Sequence, residues 1–222
     1  MKNFIITLDG PSGSGKTTVA KKIAEVFGIA YLDTGAMYRA VGYYCNSKGV
    51  DVADEKSVEN ILDDIHLEVV NDNGVQKVIV NGEDVTGLIR TGEVSMLAST
   101  VSKIPSVRKK LVEIQRAIAR TNSCVLDGRD IGSYVLPDAD YKFYMTADVD
   151  VRAKRRYLEL KEKKETTLEI VKQEMIARDE QDSSRAFAPL CVPNGAYVID
   201  TTNMAIEEVI DIIKDRVNKH KK

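Results

Sequence analysis

The sequence predicts an α/β protein: a five-stranded parallel sheet flanked by helices, carrying a small antiparallel β insert. Three observations point there. An apolar run at Phe4, Ile5, Ile6 and Leu8 leads straight into LDGPSGSGKTT, where Gly10, Gly15, Lys16 and Thr17 fit the spacing G-x-x-x-x-G-K-[ST]. Short runs of β-branched and aromatic residues then alternate with segments of helical periodicity, the pattern of parallel strands joined by right-handed crossovers. Between Ile65 and Val85 the period changes to two, and Asn73-Gly74 and Asn81-Gly82 stand where hairpin turns belong.

Each element has its own signal. A strand that ends in glycines and opens a helix aims several backbone N–H groups at one spot, and the helix dipole adds positive charge there. Gly10 to Thr18 therefore read as a phosphate-binding loop, with Lys16 reaching the β- and γ-phosphates and the Thr17 hydroxyl ligating Mg2+; the fold is accordingly of the P-loop NTPase kind. Val19, Ala20, Ile23, Ala24 and Phe27 continue as a helix that Gly28 stops. Ile29 to Leu32 form a strand ending at Asp33-Thr34-Gly35, and Met37, Ala40, Val41 and Tyr44 form the next helix. After the three-stranded insert, helical patterns run through Val94, Leu97 and Val101, and from Pro105 through Val107, Leu111, Ile114 and Ile118. Ser123 to Leu126 and Tyr141 to Met145 are strands, the first ending in Asp127-Gly128-Arg129-Asp130. Asp150 to Lys164 is a charged helix, and Thr166 and Glu169 have capping-box spacing for another. Tyr197 to Ile199 is the last strand, and Ile206, Val209, Ile210, Ile213 and Val217 line the closing amphipathic helix.

Composition narrows the function. The chain has 222 residues, enough for one α/β domain with an insert, and is 43% hydrophobic and 30% charged, as soluble enzymes are. A formal net charge of −2 argues against a broad nucleic-acid-binding surface. Cys45, Cys124 and Cys191 stand far apart, with neither disulfide nor zinc spacing, and no apolar run approaches a membrane span. The N-terminus enters a strand within three residues, so no signal peptide is expected; a cytoplasmic monomer without membrane or nucleic-acid partners is the expectation.

A phosphate loop says that a triphosphate is held, and arginines say where its γ-phosphate goes. Phosphoryl transfer asks a protein chiefly to position reactants and neutralise charge, so a kinase for an anionic acceptor should converge several guanidinium groups. Arg39, Arg129, Arg178 and Arg185 come from separate segments, the last two flanking Asp182 in RDEQDSSR. Arg152, Arg155 and Arg156 share a helical face by spacing, with Glu159 near. The N-K-x-D signature by which GTPase switches read guanine is absent, and a kinase for UMP or AMP is the nearest alternative.

Taken in order, GPSGSGKTT at Gly10, LDTGAMYR at Leu32, the hairpin insert, LAST…PSVR from Leu97 to Arg108, LDGRDIG at Leu126, RAKRR at Arg152 and RDEQDSSRAFAPL from Arg178 resemble the cytidylate kinase family of nucleoside monophosphate kinases over essentially the whole chain. The resemblance implies a single domain over residues 1–222, with 63–92 as a monophosphate-binding insert and 150–166 as a short helical lid. It implies transfer of the ATP γ-phosphoryl group to CMP or dCMP, with Mg2+ accompanying ATP. Gly10, Pro11, Ser12, Gly13, Ser14, Gly15, Lys16, Thr17 and Thr18 would bind ATP. Thr34, Tyr38 and Arg39 would lie in the monophosphate pocket, with Arg39, Arg129 and Arg185 on the acceptor phosphate. Related enzymes usually carry Ser where this chain has Thr34. Ser99, Arg108 and Asp130 would face the base, Arg178 and Asp182 the sugar, and Arg156 would belong to the lid. Lys16, Arg129, Arg185 and Arg156 would be the catalytic cations. Asp33 and Asp127, both at strand ends, are equal contenders for the waters of Mg2+.

Overall fold

The computed structural model describes residues 3–72, 75–162 and 165–219. Its fold is a five-stranded parallel sheet flanked by helices, with strand order β2-β6-β1-β7-β8, and a separate three-stranded antiparallel sheet, β3-β4-β5. The strands are β1 (Ile5–Asp9), β2 (Ala30–Asp33), β3 (Leu67–Asp72), β4 (Val75–Val80), β5 (Glu83–Asp84), β6 (Cys124–Gly128), β7 (Tyr141–Thr146) and β8 (Tyr197–Asp200). The helices are α1 (Lys16–Phe27), α2 (Thr34–Ser47), α3 (Glu55–Leu62), α4 (Gly92–Val101), α5 (Pro105–Thr121), α6 (Val149–Leu160), α7 (Leu168–Ser184) and α8 (Ile206–Lys219). Packing divides the described chain into two compact units, one formed by the residues up to Ile29 together with those from Cys124 onward, the other by Ala30–Ser123.

In the first unit β1 lies between β6 and β7, with Asp9 paired to Gly128 on one side and to Tyr144 on the other. All the strands run parallel there, so their carboxyl ends, and the loops that follow, fall along one edge of the sheet. Ile6, Leu8, Val125 and Leu126 are wholly buried, as strands covered on both faces require. The α1 helix packs on β6 and α8 through Val19, Ala20, Ile23 and Ala24, and Gly28 ends it in the left-handed conformation that a residue with a Cβ resists. A five-residue π-turn, Ile131–Val135, follows β6.

In the second unit α2 packs on α4, α5 and β4, with Ala36, Met37, Ala40, Val41 and Cys45 buried. The hairpin β4-β5 turns through Asn81 (φ 51°) and Gly82 (φ 86°), the pair of positive dihedrals that a two-residue turn matched to strand twist demands. The expected turn at Asn73-Gly74 lies outside the described residues.

Two expectations change, and one helix appears where none was expected. Glu55–Leu62 is a helix that periodicity does not announce: it is eight residues long, buries only Val58 and Leu62, and is started by Asp54, whose carboxylate accepts from the Lys56 amide. The cap of α7 is Thr167, not Thr166; its hydroxyl accepts from the Ile170 amide at 3.2 Å, so Glu169 falls in the first turn instead of completing a capping box. The charged helix α6 ends at Leu160 instead of reaching Lys164, which lies outside the described residues.

Candidate active site

The phosphate loop is built by close approach. A Cβ on Gly10 (φ 143°) would collide with the carbonyl of Met145 on β7, and one on Gly13 would strike Met175 of α7 and Arg152 of α6. The loop is thus wedged between the sheet and the α6-α7 pair, and only glycine fits. Lys16 opens α1 almost entirely buried; its Nζ donates to the Pro11 carbonyl at 2.6 Å and to Ser14 Oγ at 3.2 Å. Burial, then the charge of Arg129, lowers its pKa, while Asp127, Asp9 and Asp182 pull the other way. The cations and carboxylates at the ends of β1 and β6 therefore share one field with this lysine.

Thr17 Oγ1 donates to Asp127 Oδ2 at 2.7 Å. A hydroxyl and a carboxylate side by side next to a phosphate loop are the hard oxygen donors suited to Mg2+, which takes few protein ligands and completes its shell with phosphate oxygens and water. Among the described residues no group of three or more His, Cys, Asp or Glu could hold a metal by itself.

On the same unit Asp182, 5% exposed at its side chain, gathers two of the expected arginines. Oδ2 accepts from Arg129 Nε at 2.9 Å and Oδ1 from Arg185 Nη2 at 2.6 Å. Burial acts to raise this carboxyl, but Arg129, Arg185 and Arg178 outweigh it and hold it below the ordinary carboxylate value. Asp182 thereby orders Arg129 and Arg185 together, a task that RDEQDSSR as a linear string does not reveal.

The three arginines of RAKRR share no partner, each bonding to a different part of the chain. Arg152 is buried and donates to the Ala147 and Ser12 carbonyls at 2.8 and 3.1 Å and to Asp179 at 2.6 Å, tying α6 to the phosphate loop and α7. Arg155 donates to the Thr201 carbonyl at 2.7 Å, and Arg156 pairs with Glu159 at 2.8 Å in the open.

The second unit carries its own cluster. Asp33 caps α2, accepting from the Ala36 amide at 2.9 Å through Oδ1, while Oδ2 accepts from Arg39 Nη2 at 2.7 Å and Arg90 Nη1 at 3.0 Å. Burial would raise this carboxyl, and the two arginines more than reverse that. Gln76 of β4 grips the same residue's backbone: Oε1 accepts from the Asp33 amide at 2.6 Å, and Nε2 donates to its carbonyl at 3.2 Å. Thr34, buried, and Tyr38 follow on α2. The Arg108 guanidinium lies 5.6 Å from the Tyr38 ring centroid and donates to the Ser102 carbonyl at 3.2 Å; that serine in turn donates to the carbonyl of Ser99. Arg90 and Gln76 have no sequence signal beyond a cation and an amide near the insert.

A family model described as cytidylate kinase matches residues 6–219. The chain belongs to the cytidylate kinase family. It is 49% identical over 220 residues to a cytidylate kinase of Clostridioides difficile, covering 98% of this chain and 100% of that one. Over 223 residues it is 46% identical to one of Halalkalibacterium halodurans, covering 98% and 100%. Among solved structures, an uncharacterized protein from Eubacterium ventriosum superposes with a TM-score of 0.54 at 14% identity, over 97% of this chain and 99% of that one, a likeness of fold alone. No helix among the described residues is long and apolar enough to cross a membrane.

Proposed function

We propose that this chain transfers the γ-phosphoryl group of ATP to CMP or dCMP, giving ADP and CDP or dCDP. Family membership supports this, and so does one observation above all: Asp182 bonds both Arg129 and Arg185, and Arg129 and Asp182 both act on the charge of Lys16, so cations suited to a donor and an acceptor phosphate belong to one cluster. An oxygen of the acceptor 5′-phosphate bonds to Pγ as the bond from Pγ to the β,γ-bridging oxygen breaks. That nucleophile is already anionic, so no strong general base is needed.

Gly10 to Thr18 bind the triphosphate through backbone amides, and Lys16 spreads the charge of the migrating group. Thr17 and Asp127 would hold Mg2+, which would supply charge neutralisation to the transferring group. Asp33 is the weaker contender, because both its oxygens already serve Ala36, Arg39 and Arg90. Arg39, Arg129 and Arg185 take the acceptor phosphate, beside Thr34 and Tyr38. Arg178 and Asp182 serve the sugar, and Asp182 also orders two of the arginines. Residues 63–92 serve the monophosphate side, and Arg156 belongs to a lid over ATP formed by 150–166 that excludes water from transfer.

Ser99, Arg108 and Asp130 read the base. Cytosine offers an amino donor at C4 and acceptors at N3 and O2, whereas uracil reverses the C4 and N3 edges. A carboxylate at Asp130 accepts from the amino group, and Arg108 donates to N3 or O2. The protein works as a monomer in a reducing cytoplasm; burial pushes the Cys124 and Cys45 thiols up to about 12 and about 11, which keeps both protonated and unreactive there. A coupled assay with ATP and CMP, dCMP, UMP, AMP or shikimate as separate acceptors tests the assignment. CMP and dCMP should give the highest kcat/KM; a higher value for UMP, AMP or shikimate would refute it.

A further inference from the structure

The last residue of β1 carries a side chain that the reaction above does not use. Asp9 is wholly buried, immediately before Gly10, and its carboxylate oxygens are both engaged by the loop after β6: Oδ1 accepts from the Ile131 amide and Oδ2 from the Gly132 amide, each at 2.7 Å. Those amides open the π-turn that follows Arg129 and Asp130. The same turn is closed onto the Asp130 carbonyl, which accepts from the Tyr134 and Val135 amides at 2.9 and 3.1 Å. The Asp130 backbone is therefore fixed from both sides, by the turn it begins and by the carboxylate that holds the next two residues.

Gly132 records how close this approach is. A Cβ there would lie 2.7 Å from Thr7 Oγ1 and 3.1 Å from Asp9 Oδ2, so a larger residue would force the buried Thr7 side chain or the turn to shift beside the clamp. Burial pushes the Asp9 carboxyl up to about 7, and the two amides at 2.7 Å offset part of that penalty by favouring the charged form. An apolar residue at position 9 would satisfy the core but leave both amides buried without an acceptor.

We infer that Asp9 is a positioning residue, clamping Ile131 and Gly132 so that Arg129 and Asp130 are aimed at the acceptor nucleotide; this rests on the base-reading role proposed for Asp130. One strand end thus carries the triphosphate loop in its backbone and steadies the acceptor-reading loop by its side chain. Acceptor selectivity then depends on a residue that touches neither substrate.

The test pairs Asp9→Asn with Gly132→Ala. Asparagine keeps the shape but turns an amide donor toward one of the two N–H groups. Both variants are expected to raise KM for CMP and to lower the CMP/UMP ratio of kcat/KM by about tenfold, the equivalent of ~1.4 kcal/mol, with KM for ATP within about threefold, a shift of under 1 kcal/mol. General loss of folded enzyme would scale all acceptors together and leave that ratio unmoved. Amide hydrogen exchange in the unaltered protein provides a reading that needs no variant: Ile131 and Gly132 should be protected like the β1-β6 ladder, and exchange at open-loop rates would overturn the clamp. An unchanged ratio in the folded variants also overturns the inference. If Asp130→Asn lowers the ratio in that same assay, the base-reading role stands without the clamp; if it too leaves the ratio unchanged, both fall.

Discussion

Replacing Asp182 by asparagine removes one negative charge while keeping the shape of the side chain, and the surroundings set the size of the effect. The carboxylate is almost fully buried and makes one charge-assisted bond to each of two arginines, Arg129 at 2.9 Å and Arg185 at 2.6 Å. Taking away one partner of a buried ion pair costs ~3–5 kcal/mol, because the remaining charge stays buried without its counterion. Asparagine still offers one oxygen, so the lower figure, ~3 kcal/mol, applies. At roughly 2–4 °C per kcal/mol for a chain of this length, Tm should fall by ~6–12 °C. Urea unfolding at neutral pH measures the free-energy loss directly, and a thermal scan measures the fall in Tm. Because Arg129, Arg185 and Arg178 hold the Asp182 pKa below its ordinary 3.8 in the fold, the charge contributes fully above that value and is lost as pH falls through the lower folded one. The stability gap between the native protein and the variant should therefore stay constant from about pH 7 to about pH 5 and close below ~pH 3.8. A gap under ~1 kcal/mol, the worth of an exposed pair, would refute the reasoning, as would one that changes between pH 5 and 7.

Three further substitutions probe the reaction. Arg185→Ala should lower kcat by ~10²–10³, the usual cost of removing one preorganised charge donor, while leaving ATP affinity nearly unchanged; equal losses in both, by steady-state kinetics and direct ATP titration, would contradict an acceptor-side role. Thr17→Val, which keeps the bulk but deletes the hydroxyl bonded to Asp127, should raise the Mg2+ concentration needed for half-maximal rate by about tenfold, a loss of ~1.4 kcal/mol; an unshifted Mg2+ titration would remove Thr17 from the metal. Asp130→Asn should weaken preference for CMP over UMP more than it weakens ATP binding, and an unchanged kcat/KM ratio would take Asp130 off the base.

The sequence was most legible where backbone geometry admits few residue types. Gly10 and Gly13 are dictated by neighbours that leave no room for a Cβ, Asn81-Gly82 by two positive φ angles, and Pro105 by the first turn of α5, so each can be read locally. Charge pairing is different, because it is set by folding partners together across the chain. Arg90 reaches Asp33 across 57 residues, and Gln76 reaches the same residue across 43; nothing in the local pattern marks either. Asp33 and Asp127 look alike in the sequence, both at strand ends, yet their partners differ: the first is surrounded by two arginines and a helix amide, the second lies beside Thr17. Asp182 was legible as part of a motif but not as the anchor of two arginines. The α3 helix leaves no mark in the hydrophobic pattern because its buried face is only Val58 and Leu62, too short a repeat to stand out.

Phosphorus NMR of a mixture of this protein, Mg2+, ATP and CMP follows the transferred group itself. Loss of the ATP γ-resonance should be matched by growth of the CDP β-resonance, with ADP formed in equal amount and no accumulation of inorganic phosphate. Inorganic phosphate appearing in place of CDP would show that water, not the nucleotide, receives the γ-phosphoryl group.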